Sequence, residues 1–154
     1  MANIKSEEKL RTLNSNHLAP IVMVTHRTYK FLDIIWNESV PTVEMSWKEF
    51  AHGKDFRNGL TEGLDLLESK KSSNWLADLR QLGVVTREDQ EWADDVWYAD
   101  AVARGVKKIA IIMPESAISE MSVTNVVSNL ENSEIATRFF DSLEQARAWL
   151  SGSA

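Results

Sequence analysis

The residues of this chain best suited to hold a ligand are Arg80, Thr86, Asp89, Gln90, Trp92, Trp97 and Met121. Arg80 supplies positive charge. Asp89 and Gln90 supply acceptors and a donor. The indoles of Trp92 or Trp97 supply an apolar wall, and the Met121 thioether closes the far side. Thr86 stands where a helix begins, and the free N–H groups of a helix start favour an anion. Together they describe a pocket with apolar walls and a few convergent polar groups, the usual form of a small-molecule site. The competing arrangement is plain packing: Arg80 paired with Asp78 or Asp89, and both indoles filling the core.

Chemistry beyond binding finds little support. An enzyme would draw on Asp78, Arg80 and Asp89, but a neighbouring carboxylate and guanidinium more often form a structural ion pair. There is no Gly-rich phosphate loop and no Ser in a nucleophile elbow. His17, His26 and His52 lie on separate segments without metal-ligand spacing and read as surface or packing residues. The chain has no Cys, which removes disulfides, thiolate catalysis and Cys-ligated metals. Glu88-Asp89 and Asp94-Asp95 are adjacent on a helix, so the members of each pair point apart and make no acid/base couple. They read as a solvated face that also complements the helix dipole. No cofactor is expected, and the chain is expected not to be an enzyme.

The elements that position these residues follow from hydrophobic period. Residues 21–24 are rich in β-branched side chains and read as a strand, and residues 29–36 as a second. Val43, Met45 and Trp47 alternate with Thr42, Glu44 and Ser46, which predicts a strand with one buried and one wet face. Residues 55–70 read as a helix with Phe56, Leu60, Leu64 and Leu67 on one stripe. Gly59 and Gly63 lie on the same helix. They predict an exposed or closely packed face, or close approach to another helix across a dimer. Trp75-Leu76-Ala77 opens a buried strand that residues 78–82 carry into a loop. Thr86 starts the next helix, with Glu88 and Asp89 at its positive end. Trp92, Val96, Ala99 and Ala103 form its apolar stripe, and Gly105 ends it. The run 107–113 is a fully buried strand, stopped by Pro114. Ser122 caps a further helix with Val123, Val126 and Val127 inward. Residues 135–139 form the last strand, and Ser142 with Gln145 makes a capping box for a helix whose Leu143, Ala146 and Leu150 face in.

Strands that alternate with helices imply right-handed crossovers and a parallel sheet covered by helices. The early strands add an antiparallel hairpin. The expected fold is therefore α/β: a mixed sheet, mostly parallel with an N-terminal antiparallel hairpin, packed by about four helices. Residues 1–20 read as an arm that packs on the domain or on a partner chain, and residues 21–154 as one domain. Sites in such sheets form beyond the carboxyl ends of the strands, here at residues 80–89 and 113–121.

With 154 residues, 44% of them hydrophobic and 26% charged, the chain has the size and balance of a single globular domain. The net charge of -6 argues against nucleic acid or an anionic membrane surface as partner. Glu7 and Glu8 stand where a signal peptide would need an apolar run, and the apolar run 109–113 is too short to span a bilayer. The expected place is the cytoplasm, and an integral membrane protein is not expected.

Trp75-Leu76-Ala77-Asp78-Leu79-Arg80, Asp89-Gln90-Glu91-Trp92, Lys107-Lys108-Ile109-Ala110 and Met121-Ser122-Val123, taken in order, resemble the SpoIIAA-like family. That family is related to the STAS domains of anti-sigma-factor antagonists. The resemblance covers residues 29–150 and implies the same α/β fold. It also implies a binding or switching module in place of an enzyme. In the better-known STAS domains a phosphorylated Ser opens the helix after the central strand. Arg87 takes that place here, between Thr86 and Glu88, so the phosphoacceptor is not carried over. Relatives often follow the residue matching Trp97 with an aromatic, a Pro and a basic residue, where this chain has Tyr98-Ala99-Asp100. Three functions compete. The first is a protein-interaction or regulatory module, expected as a homodimer or with a regulatory protein partner. The second is a binder of a small apolar or amphipathic ligand such as a lipid, suggested by six Trp and five Met. The third is an enzyme built on Asp78, Arg80 and Asp89.

Overall fold

A computed structural model describes residues 22–152; the arm expected at residues 1–20 lies outside them. The strands are β1 (Met23–Thr28), β2 (Leu32–Asn37), β3 (Thr42–Trp47), β4 (Asn74–Asp78), β5 (Lys108–Ile112) and β6 (Ala136–Phe139). They form one sheet in that order. β1, β2 and β3 run antiparallel. From β3 to β6 every neighbouring pair is parallel. The helices are α1 (Lys54–Ser69), α2 (Arg87–Trp92), α3 (Tyr98–Ala103), α4 (Ala117–Glu131) and α5 (Leu143–Leu150). A π-helical turn, Ala93–Trp97, joins α2 to α3 without a break, so four helical rods pack on the sheet. The expected mixed α/β fold is the one observed.

The two sheet faces are covered unequally. Val43, Met45 and Trp47 of β3 lie opposite Trp36, Ile34 and Leu32 of β2 and share a face with Trp75, Ile109 and Ile111. This face holds the main core, under α1, the α2–α3 rod and α4. The other face carries Leu76 and Ala110 beneath Ala146 and Leu150 of α5. β5 is apolar at successive positions because it is buried on both sides.

Four local expectations are corrected and one alternative is decided. Strand β1 begins at Met23, and Tyr29 sits in the turn before β2, its N–H donating to the Leu32 carbonyl at 2.8 Å. The second face of β3 is not wet: Glu44 is 3% exposed, covered by α5. Its carboxylate accepts two hydrogen bonds from Arg147, each 2.8 Å long, and one from Asn37 at 3.0 Å. Of the readings of Gly59 and Gly63, the closely packed face is the one observed, and what it packs on is their own sheet, with no second helix there among the described residues. A Cβ at Gly63 would stand 2.6 Å from the Trp75 ring, and one at Gly59 would stand 2.7 Å from Leu32. Ser116, not Ser122, caps α4. Ser122 lies inside that helix, where its hydroxyl donates to the Ser119 carbonyl at 2.6 Å and accepts the Val85 N–H at 2.9 Å.

The last correction concerns the rod from Arg87. A 3.6-residue period predicts Trp92, Val96, Ala99 and Ala103 facing in. The residues that do so are Asp89, Ala93, Trp97 and Ala101, while Val96 is 49% exposed. The Tyr98 N–H bonds the Ala93 carbonyl, five residues back. That wider turn accommodates one extra residue and keeps Ala93 and Trp97 in line with Ala101. The end of the rod is as expected, with Gly105 at a φ of 99°.

Candidate functional site

The seven singled-out residues do not converge on one pocket. Thr86 is the N-cap of α2, its hydroxyl accepting the Asp89 N–H at 3.2 Å. Asp89 is 1% exposed. One of its oxygens accepts the Arg57 Nε–H and the other the Gly53 N–H, each at 2.9 Å. It therefore ties the start of α1 to the start of α2. The Arg57 guanidinium also lies over the half-buried Trp92 ring, 5.7 Å from its centre. Gln90 donates to the Val85 carbonyl at 3.0 Å and pins the loop that enters α2.

Arg80 follows the ion-pair alternative. It grips Asp78 through both carboxylate oxygens, at 2.9 and 2.8 Å. Hydrogen bonding and charge from Asp78 raise its pKa above the usual arginine value. The pair borders a polar hollow of about 160 Å³ with Ser46, Gln81 and Glu115. Met121 is 75% exposed on α4. Ile118, one helical turn earlier, is 66% exposed. Val84 and Phe50 are exposed at the same end of the molecule, where Gly83 packs on Phe50 and Val85 bonds Ser122. All four side chains stand toward the carboxyl ends of the parallel strands.

Gln90 and Trp97 belong instead to an apolar cavity of about 90 Å³ between the main-core sheet face and the helices over it. Trp47, Trp75, Ile109 and Ile111 form its floor, and Phe56, Ala93, Val123 and Val127 are among its walls. Trp97 meets Trp75 edge-on, with ring centres 5.1 Å apart. Small Ala77 and Ala93 among the large rings leave the space open. The Trp97 Nε1–H is buried without a partner; among the described residues only Thr42 Oγ1 shares that condition. A buried donor left unpaired costs about 1–3 kcal/mol. It is thus the polar group of this region with an unmet requirement.

A second cleft, of about 460 Å³ and mixed polar and apolar lining, lies between the π turn and α4. Asp94, Asp95, Tyr98 and Asn129 line it, and Ala93, Trp97, Val126 and Leu130 are common to cleft and cavity. Neither the cleft nor the cavity was identified from sequence. Asp94-Asp95 was the available signal, but without the π turn nothing placed it beside Trp97. Among the described residues no group of His, Asp and Glu is arranged to hold a metal ion. Among them, too, no helix is long and apolar enough to cross a membrane.

A family model described as SpoIIAA-like matches residues 42–151. The crystal structure of an uncharacterised protein with a SpoIIAA-like fold from Shewanella loihica PV-4 superposes with a TM-score of 0.51. It is 16% identical, and the match covers 88% of this chain and 98% of that one. That likeness bears on the fold. No curated protein sequence matches.

Proposed function

The chain belongs to the SpoIIAA-like family, and we propose that it is a non-enzymatic, cytoplasmic binding module for a small apolar or amphipathic molecule. The observation that carries this reading is the apolar cavity that Trp97 borders, on the sheet face of the main core. Apolar walls give affinity by removing hydrocarbon from water. A cavity of about 150 Å³ takes benzene, so by the same ratio one of about 90 Å³ has room for a smaller molecule of roughly three or four carbon atoms. The non-enzymatic part rests on how the ionisable groups are used. Asp78, Arg80 and Asp89 are committed to one another or to Arg57 and Gly53, which supports a structural role for all three.

Titration calorimetry with n-propanol is expected to show saturable binding, with a matching rise in melting temperature. Absence of saturable binding would overturn the reading. A Val123→Phe variant, which fills the cavity, is expected to lose the binding while remaining folded by circular dichroism.

A second reading has its own observation. Phe50, Val84, Ile118 and Met121 expose apolar surface at one end of the molecule, which supports docking of a second copy or a regulatory protein there. The two readings use different surfaces and are compatible in one molecule.

A further inference from the structure

The segments that leave β3, β4 and β5 at their carboxyl ends each carry exposed apolar side chains: Phe50, then Val84, then Ile118 with Met121. These segments touch. A Cβ at Gly83 would stand 2.8 Å from the Phe50 Cβ, and the Val85 N–H bonds the Ser122 hydroxyl at 2.9 Å. Val84 therefore stands between a neighbour packed on Phe50 and a neighbour bonded to the residue after Met121. Ile118 and Met121 are three residues apart on α4 and share a face. Phe and Met are enriched in protein interfaces, and the thioether adapts to varied partners.

The charge around these side chains has a sign. Glu49, Asp55, Glu88, Glu115 and Glu120 lie on the same loops and helix starts, and among the described residues none of them takes part in an ion pair. Lys30 and Lys54 are the cations of this end in the same condition. The others are engaged: Lys48 with Asp33, Arg57 with Asp89, Arg80 with Asp78 and Arg87 with Glu91. A helix start brings about half a positive charge. Each of α1, α2 and α4 carries a carboxylate in its first turn, Asp55, Glu88 and Glu120, so the helix ends do not reverse the sign.

The polar hollow of about 160 Å³ opens from the same segments. Trp47, Gln81 and Glu115 line it, each three residues before Phe50, Val84 and Ile118. Three residues span at most about 11 Å, the rise of about two helical turns. Asp78 and Glu115 set two carboxylates against the one guanidinium of Arg80, which leaves the hollow with negative charge in excess. It has room for several waters, or for an ammonium group and the methylenes next to it.

Resting on the docking function given as the second reading above, we infer that the partner at this end is a basic, amphipathic protein helix. Its apolar stripe covers Phe50, Val84, Ile118 and Met121, and its lysine or arginine side chains meet Glu49, Glu115 and Glu120, one of them entering the hollow. A second copy of the chain is the weaker occupant, because it sets these carboxylates against like charges.

The test titrates the purified full chain at low micromolar concentration, neutral pH and about 0.1 M salt, where charges more than about 10 Å apart are screened. The probes are an amphipathic helical peptide of leucine and lysine and the same peptide with glutamate at every lysine. The lysine peptide is expected to bind about ten-fold more tightly, the scale of a few surface ion pairs. Ile118→Ser/Met121→Ser is expected to weaken its binding about ten-fold. Glu115→Gln/Glu120→Gln is expected to cut the preference for lysine to about two-fold. Glu131→Gln/Glu134→Gln, which removes the same charge at the far end of α4, is expected to leave the preference unchanged. All six side chains are exposed, and circular dichroism reports that each variant is folded. Equal binding of the two peptides, a tighter glutamate peptide, a preference that survives Glu115→Gln/Glu120→Gln, or an equal loss from Glu131→Gln/Glu134→Gln would overturn the basic partner and leave apolar docking standing. Failure of both peptides to bind, or binding untouched by Ile118→Ser/Met121→Ser, would overturn docking at this end itself.

Discussion

At the scale of single residues, the polar groups that look most chemical in the sequence serve the architecture. Thr86 was legible because a cap is a local event: a hydroxyl, a helix start and acidic residues in the first turn suffice. Thr86→Ala is expected to cost about 1 kcal/mol in urea unfolding, and superimposable curves would refute the cap's contribution. Asp89 was not legible, since its partners Arg57 and Gly53 come from another helix and no local pattern announces them. Asp89→Ala leaves the Gly53 N–H without an acceptor and is expected to cost about 2–3 kcal/mol, as a broken buried network does. Arg80→Ala leaves the buried Asp78 carboxylate with the residue 80 N–H as its remaining donor and is expected to cost about 1–2 kcal/mol. The ordering of those two variants is the informative result. An Arg80 variant more damaged than Asp89→Ala would mean that the Asp78 pair, not Asp89, holds this end together.

At the scale of elements, strands and helix types were readable because burial imprints a period on the sequence. Val43, Met45 and Trp47 alternate, β5 is apolar throughout, and α1 shows a stripe. What was not readable depends on the third dimension. The face of β3 that carries Glu44 looks wet because it holds a carboxylate. It is dry because Arg147, far along the chain, arrives with α5. Burial pulls the Arg147 pKa down, but Glu44 outweighs it and the value stands above the arginine norm. Arg147→Ala strands a buried carboxylate and is expected to cost about 3–5 kcal/mol by thermal or urea unfolding. The Glu44→Gln/Arg147→Met double variant is expected to recover much of that loss, and a loss equal to the sum of the two single variants would show that the residues act independently. Gly63 makes the complementary case. Helix propensity alone predicts that Gly63→Ala stabilises by about 1 kcal/mol. The Trp75 ring and the Met45 sulfur, 2.6 and 2.7 Å from the new Cβ, predict a net loss of about 1–3 kcal/mol. A stabilised variant would mean that α1 lifts easily from the sheet.

At the scale of the molecule, the order of strands and helices was enough to give the mixed sheet, because crossover handedness leaves few alternatives. Where the helical rods part to leave a cavity was not given by that order, since it depends on which rings meet which alanines. The sheet also bears on assembly. The sequence suggests a homodimer through an exposed edge, yet among the described residues both edge strands are blunted. β1 shifts register between Thr25 and Arg27, a bulge that bends the edge, and Arg27 puts a charge on it. β6 is short and carries Arg138. Phe139 of β6 and Val96 of the π turn are exposed, but four of the exposed large apolar side chains, Phe50, Val84, Ile118 and Met121, lie at the carboxyl ends of the parallel strands. A homodimer is therefore expected to close over that end and leave the sheet edges in water. The net charge of -6 opposes association over long range but is screened within about 10 Å at 0.1 M salt. Association is then expected to strengthen with salt, as apolar burial does and edge pairing through Arg27 would not. Light scattering of the full chain at high micromolar concentration is expected to give a dimer mass, and Ile118→Glu/Met121→Lys a monomer mass. A wild-type monomer under those conditions would rule the dimer out. A dimer untouched by the double substitution would place the contact on another surface.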